Sequence, residues 1–226
     1  MYIGEFNAPL FFFINFMAST TTDTETELSA VNAILGAIGQ SPVSSIDKTN
    51  PEIGFIYNIL RDSNVDLQAE GWHFNTERHV NYKPQTVGGE QKIAIGNDIL
   101  KMDVTDGWTK RNYDVVRRGG YLYDKMDHTD DWDELTTDGI DLDIVKLISY
   151  EDLPEVFKRY IIYKSAVRAA TQLVNNPQLA QLLAQQESLA RAAIMEYECN
   201  QGNHTMFSLP EDSTYNSYQP WRSLGR

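Results

Sequence analysis

The stretch YDVVRRGGYLYD, residues 113–124, decides how the middle of the chain folds. Two runs rich in β-branched and aromatic side chains flank a pair of glycines. Such a pair suits the two-residue turns of β-hairpins, because both turn positions require positive φ. The stretch therefore predicts an antiparallel hairpin that turns at Gly119-Gly120. Arg117 and Arg118 are then expected near the tip, where a partner can reach them.

The residues around this hairpin show the short apolar runs of strands instead of a helical period. Pro84 and the pair Gly88-Gly89 separate these runs. Extended segments are predicted at residues 72–75, 80–82, 92–95, 99–102 and 140–148. Together with the hairpin, they predict an inserted β domain over residues 72–149.

Helical patterns lie on both sides of the β region. The spacing at residues 24–27 matches a capping box, with Thr24 as the cap, and predicts a first helix that ends at Gly39. Asn50-Pro51 predicts the start of a second helix, since Asn is a good N-cap and proline fits the first helical position. Two more apolar stripes, separated at residues 175–177, predict a third and a fourth helix.

The order of these elements predicts an α+β fold. It consists of a four-helix bundle core with an inserted antiparallel β region and extended N- and C-terminal arms. The bundle is assigned to residues 23–71 and 150–200, the β domain to 72–149, and the arms to 1–22 and 201–226. One apolar residue from the middle of each helical stripe should meet in a shared core: Leu35, Leu60, Ile161 and Leu189.

The two arms contain many aromatic residues without a period. Residues 1–16 carry Glu5 as their single charge. They fit either an arm that docks on a neighbour or an addition upstream of a natural start at Met17. Aromatic side chains are enriched at protein interfaces. The candidate interface residues are Arg117, Arg118, Tyr121, Tyr123, Tyr215, Tyr218 and Trp221.

Composition argues against several classes of function. The formal net charge of −13 opposes tight binding to the phosphate backbone of DNA. Cys199 is the single cysteine, so a disulfide framework and a multi-thiolate zinc site are excluded. The longest apolar run, residues 10–14, is far below the roughly 20 residues that span a membrane. The chain shows no catalytic or cofactor-binding motif, and we predict neither a cofactor nor membrane association.

A dense run of carboxylates at residues 127–134 leaves an enzymatic alternative open. Its oxygens suit a hard cation, which a metal-dependent hydrolase or nuclease, acting through residues Asp127 to Glu134, would need. Against this, the run lacks the glycine and the terminal bidentate Glu of a calcium-binding loop, and the chain offers no groove-sized basic run for nucleic acid. A soluble interaction module is a third possibility.

Several short blocks carry a resemblance to one known family. They are ELSAVN at residues 27–32, GW at 71–72, RGGYLYD at 118–124, YEDLPE at 150–155 and EYE at 196–198. Each block is short, but all occur in the family's order. Together they resemble the tail tubular protein A family, the head-to-tail adaptors of short-tailed podoviruses. Residues 1–22 and those after 203 show no match.

The resemblance implies a structural virion protein without catalysis. In this family, twelve subunits form a homo-oligomeric ring under the portal protein. The ring joins the portal to the nozzle (tail tubular protein B), tail fibres attach around the junction, and genomic DNA passes through without specific binding. The resemblance therefore implies a place at the head-tail junction of the virion, after synthesis in the host cytoplasm.

Overall fold

The computed structural model describes residues 26–105, 113–135, 138–174 and 176–201. Within these ranges it contains α1 (Glu27–Ala37), α2 (Pro51–Gln68), α3 (Glu155–Ala169) and α4 (Pro177–Gln201). The strands are β1 (Thr76–Tyr82), β2 (Gln85–Val87), β3 (Glu90–Lys92), β4 (Ile99–Val104), β5 (Val115–Arg118), β6 (Tyr121–Asp124) and β7 (Ile140–Lys146). The predicted α+β class is confirmed. None of the described helices has the length and apolar character needed to cross a bilayer.

Local capping determines where the first two helices begin. The hydroxyl of Thr26 accepts a hydrogen bond from the backbone N–H of Ser29 at 3.3 Å, so Thr26 is the N-cap of α1. The predicted cap, Thr24, lies outside the described residues. The second helix begins as predicted, since the Asn50 side chain accepts from the N–H of Glu52 at 3.1 Å. Both caps satisfy amide groups that the first helical turn leaves without partners.

The third helix is the centre of the helical part, and α1, α2 and α4 all pack against it. Phe157 and Ile161 of α3 are fully buried. Leu35 and Leu60 are also buried in this cluster, as predicted. The core therefore forms around α3 and contains three of the four residues expected there.

The fourth helix departs from the predicted bundle. Leu189, expected in the shared core, is 72% exposed, so that prediction was wrong. Leu183 and Ile194 are the α4 residues buried in the core. Leu189 follows Leu183 by six positions, so at 3.6 residues per turn the two side chains point about 120° apart around the helix axis. They cannot lie on the same face, and α4 directs the Leu183 face toward the core.

The β region forms a second core of its own. Its main sheet has the strand order β1-β7-β4, and both pairings are antiparallel. Two antiparallel pairs, β2-β3 and β5-β6, complete the domain. The inward side chains of these strands and their connections form the core: Ile93, Ile95, Ile99, Val115, Leu122, Trp132, Ile140, Leu142 and Ile144.

A buried polar network joins the helical and β parts at the end of α2. The Gln68 side chain, fully buried, donates to the carbonyl of Ile148 at 2.9 Å and accepts from its N–H at 2.7 Å. Asn75 donates to the carbonyl of Gln68 and accepts from the N–H of Trp72. The extended structure predicted for residues 72–75 was wrong, because these contacts hold the segment in a turn.

Candidate interaction surfaces

The predicted hairpin at residues 113–124 is confirmed. Its closing pair is Arg118 with Tyr121, and the turn between them consists of two glycines. Gly119 has a φ of +58° and Gly120 a φ of +87°. Side chains with a Cβ rarely adopt this conformation, so the glycine pair fixes the position of the tip.

Replacing the turn glycines tests this account of the hairpin. Gly119→Ala and Gly120→Ala should each lower the free energy of unfolding by about 1–2 kcal/mol, the usual cost of a left-handed non-glycine residue. An added Cβ meets no atom within 4 Å at either position, so the backbone alone causes the loss. Urea unfolding measures it. Gly36→Ala, at an equally open site in α1, should be neutral or stabilising, and equal losses in all three variants would contradict this explanation.

The hairpin's candidate side chains lie on two faces. Arg118 is exposed, and its guanidinium stacks over the ring of Tyr123 at 3.9 Å. Arg117, its neighbour in the strand, donates instead to the side chain of Asn97. Side chains of successive strand residues point to opposite faces of the sheet, so the two arginine side chains lie on opposite faces of the hairpin. Tyr121 lies under the ammonium of Lys92 at 5.7 Å.

Lys92 connects the hairpin to the acidic run. Its Nζ lies 2.8 Å from a carboxylate oxygen of Asp130 and 2.8 Å from one of Glu90. Hydrogen bonds to Asp130 and then to Glu90 raise the pKa of Lys92. The same contact lowers the pKa of Asp130, because the hydrogen bond from Lys92 favours the ionised carboxylate. Asp130 therefore pairs with a cation of the protein itself.

Two further residues of the run at residues 127–134 also make structural contacts. Asp131 accepts from the N–H of Gln91 at 3.0 Å. Trp132 is buried, and its indole donates to the carbonyl of Leu122 at 3.0 Å. Across the described ranges, no group of three or more His, Cys, Asp or Glu side chains is placed to hold a metal ion. The contacts of Asp130, Asp131 and Trp132 hold this loop against the β core.

An exposed apolar face of α4 is a surface that the sequence analysis missed. Leu182 is 61% exposed and Leu189 72% exposed. The two lie seven residues apart and therefore share a face of the helix. A groove of about 450 Å³ beside Leu189 is lined in part by Val156 and Tyr163 of α3 and by Ala190 of α4. The signal was present in the sequence, since the apolar residues of α4 cover more than one face.

Polar contacts fix the C-terminal half of α4 in place. His73 presents its backbone N–H to one oxygen of Glu198 at 3.0 Å and its Nδ1 to the other at 2.5 Å. Arg191 makes two hydrogen bonds to Glu70, at 3.1 and 2.5 Å. Its guanidinium also lies 5.1 Å from the centre of the Trp72 ring. The exposed leucines therefore lie on a helix that is anchored to the protein.

Comparison with known proteins assigns the chain to a family. The family model described as Tail tubular protein matches residues 28–204, which is most of the chain. The chain belongs to the tail tubular protein family. A curated relative named Tail tubular protein A, from Klebsiella phage KP34, is 33% identical over 130 residues. That alignment covers 57% of this chain and 63% of the relative, so the matched part spans less than two thirds of the relative's length.

Membership of the tail tubular protein family confirms the resemblance seen in the sequence and identifies a phage tail protein. The matched residues include the hairpin and the whole of α4. Both candidate surfaces therefore lie in the part of the chain that the family model matches. Three of the candidate interface residues, Tyr215, Tyr218 and Trp221, lie outside the described residues, as do the N-terminal arm and residues 202–226.

Proposed function

We propose that this protein is a structural adaptor of a phage tail. Copies of the chain form a ring of twelve subunits that joins the portal protein to the nozzle, tail tubular protein B. Tail fibres attach at the same junction, and the protein carries out no catalysis and needs no cofactor. Family membership supports the tail role. The single observation that carries the assembly role is the exposed apolar face of α4.

That face has the properties of an assembly surface. Leu182 and Leu189 present apolar side chains to solvent on one side of an anchored helix. Exposed apolar side chains that share one face of a helix favour an interaction site there, since burying them removes apolar area from water. In a cyclic ring, each subunit uses one surface to bind a different surface of its neighbour. We assign the α4 face to one side of this contact.

Charge and the arms fit the same role. A subunit with a net charge of −13 repels the phosphates of DNA, so a ring of such subunits would let the genome pass without binding it. The aromatic arms, residues 1–22 and 201–226, are proposed to contact other chains. The exposed Arg118 and the half-buried Tyr123 of the hairpin are proposed to meet a fibre or a neighbouring subunit. The protein would act at the head-tail junction after synthesis in the host cytoplasm.

Charged substitutions on the α4 face test the assembly role. The double variant Leu182→Glu with Leu189→Glu should prevent assembly, because carboxylates would have to be buried in the interface. Its folding should change little, since both side chains are more than half exposed. Light scattering coupled to size exclusion measures the mass, and circular dichroism monitors the fold.

The same helix provides a matched control. Gln181→Glu with Ser188→Glu adds the same two charges at the same spacing along α4. These positions lie about 100° around the helix from the two leucines. Both residues are exposed, and this variant should assemble as the wild type does. If the leucine variant and the control assemble equally well, the α4 face is not the contact between subunits.

A further inference from the structure

A groove lies between β4 and β5, apart from the α4 face to which the contact between subunits is assigned. Its volume is about 670 Å³, and its walls include Ile99 and Met102 of β4 and Val115 of β5. Among the described residues that line it, the charged ones are Lys101 and Arg117. In a chain with a net charge of −13, these two residues make the groove locally basic.

Both walls of the groove are edges of sheets. The strand order β1-β7-β4 makes β4 an edge strand, and β5 pairs with β6 on its other side. The closing pair of a two-residue turn, here Arg118 with Tyr121, is a hydrogen-bonded pair. Hydrogen-bonded and non-hydrogen-bonded pairs alternate, so the backbone groups of Val115 and Arg117 point away from β6. Within the described ranges no further strand pairs with these two edges, and such edges accept an added strand from another peptide.

One nitrogen of the Arg117 side chain has no acceptor among the described residues. This nitrogen, Nε, is buried. The other end of the guanidinium is held by the side chain of Asn97, which keeps the group at the groove. A buried donor without an acceptor is unfavourable, and a carboxylate is the acceptor that best fits a guanidinium. The groove thus combines these strand edges with a cation that needs an anionic partner.

We propose that this groove binds an extended acidic peptide, and that the peptide is residues 209–216 of a second copy of this chain. This segment, LPEDSTYN, places Glu211 and Asp212 before Thr214 and Tyr215, which favour strands. Pro210 lacks an N–H, but it is the second residue of the segment, and proline is tolerated at the start of a strand that pairs at a sheet edge. Glu211 follows Gln201 by ten positions, which gives the tail a reach of at most about 33 Å beyond the end of α4. This proposal rests on the proposed function because it requires that copies of the chain contact one another.

Peptide binding to the full chain tests the site directly. A fluorescent synthetic peptide of residues 207–218 should bind saturably, measured by anisotropy. Arg117→Gln should weaken binding tenfold or more. The matched control Arg118→Gln alters the adjacent, exposed arginine that does not line the groove, and it should stay within twofold of the wild type. A peptide with Glu211→Gln and Asp212→Asn should lose affinity as Arg117→Gln does.

A cross-link between copies provides a second test that does not depend on Arg117. In a Cys199→Ser background, a chain with Lys101→Cys mixed with a chain with Thr214→Cys should form a disulfide-linked pair. Met126→Cys, exposed and outside the groove, should not link to the same partner. Absence of peptide binding, equal effects of the two arginine variants, or equal linking at residues 101 and 126 would overturn the proposal. Peptide binding without ring formation would keep this site and refute the ring instead.

Discussion

Phe157→Ala is expected to lower the free energy of unfolding by about 3–5 kcal/mol, the usual cost of removing a buried aromatic ring. Phe157 is fully buried in the helical core. Its ring packs edge-on against Trp72 at 5.1 Å, Phe74 at 4.6 Å and Tyr197 at 5.9 Å between centroids. These neighbours come from α4 and from the turn after α2, so none can collapse into the cavity without moving its own element. Urea unfolding followed by circular dichroism measures the loss.

Leu189→Ala is the control for this prediction. Leu189 was expected in the same core but is exposed, so in the separate subunit its truncation should change stability by less than about 0.5 kcal/mol. A loss at Leu189 as large as that at Phe157 would mean that α4 packs with its other face toward the core.

Gln68→Leu is expected to cost about 2–6 kcal/mol, because it leaves the N–H and the carbonyl of the half-buried Ile148 without partners at about 1–3 kcal/mol each. The side chain of Gln68 satisfies both the N–H and the carbonyl of Ile148, and it also donates to Asn64. Leucine has a similar size, so the loss measures the hydrogen bonds more than the volume. Urea unfolding, with hydrogen exchange at the Ile148 amide, checks both the cost and its location.

Gln181→Leu makes the same chemical change at an exposed position of α4. It should change stability by less than about 0.5 kcal/mol. Similar effects of the two substitutions, or an Ile148 amide that remains protected in Gln68→Leu, would contradict a structural role of this network at the junction.

Local rules explain what the sequence could predict. The hairpin at residues 113–124 follows from two adjacent glycines, and the start of α2 follows from Asn50 and the proline after it. In both cases the physical cause lies within a few residues of its effect. The family resemblance was likewise visible in short local blocks.

The errors arose where distant residues decide the structure. The segment 72–75 resembles a strand, but Asn75 and Gln68 hold it as a turn through contacts that reach Ile148 and Lys146. The exposure of Leu189 depends on which face of α4 meets α3, and a helix with apolar residues on several faces does not specify that face. The groove between β4 and β5 depends on the strand order, which no local pattern contains.

The central claim is that this chain assembles into a ring at the portal. Electron microscopy of the purified protein mixed with the portal protein of the same phage tests it most directly. We expect class averages that show one additional ring of twelve subunits stacked on the portal. Twelve chains of 25.7 kDa give that ring a mass of about 308 kDa. Portal particles without an added layer, with this chain remaining in solution as monomers or dimers, would contradict the proposed function.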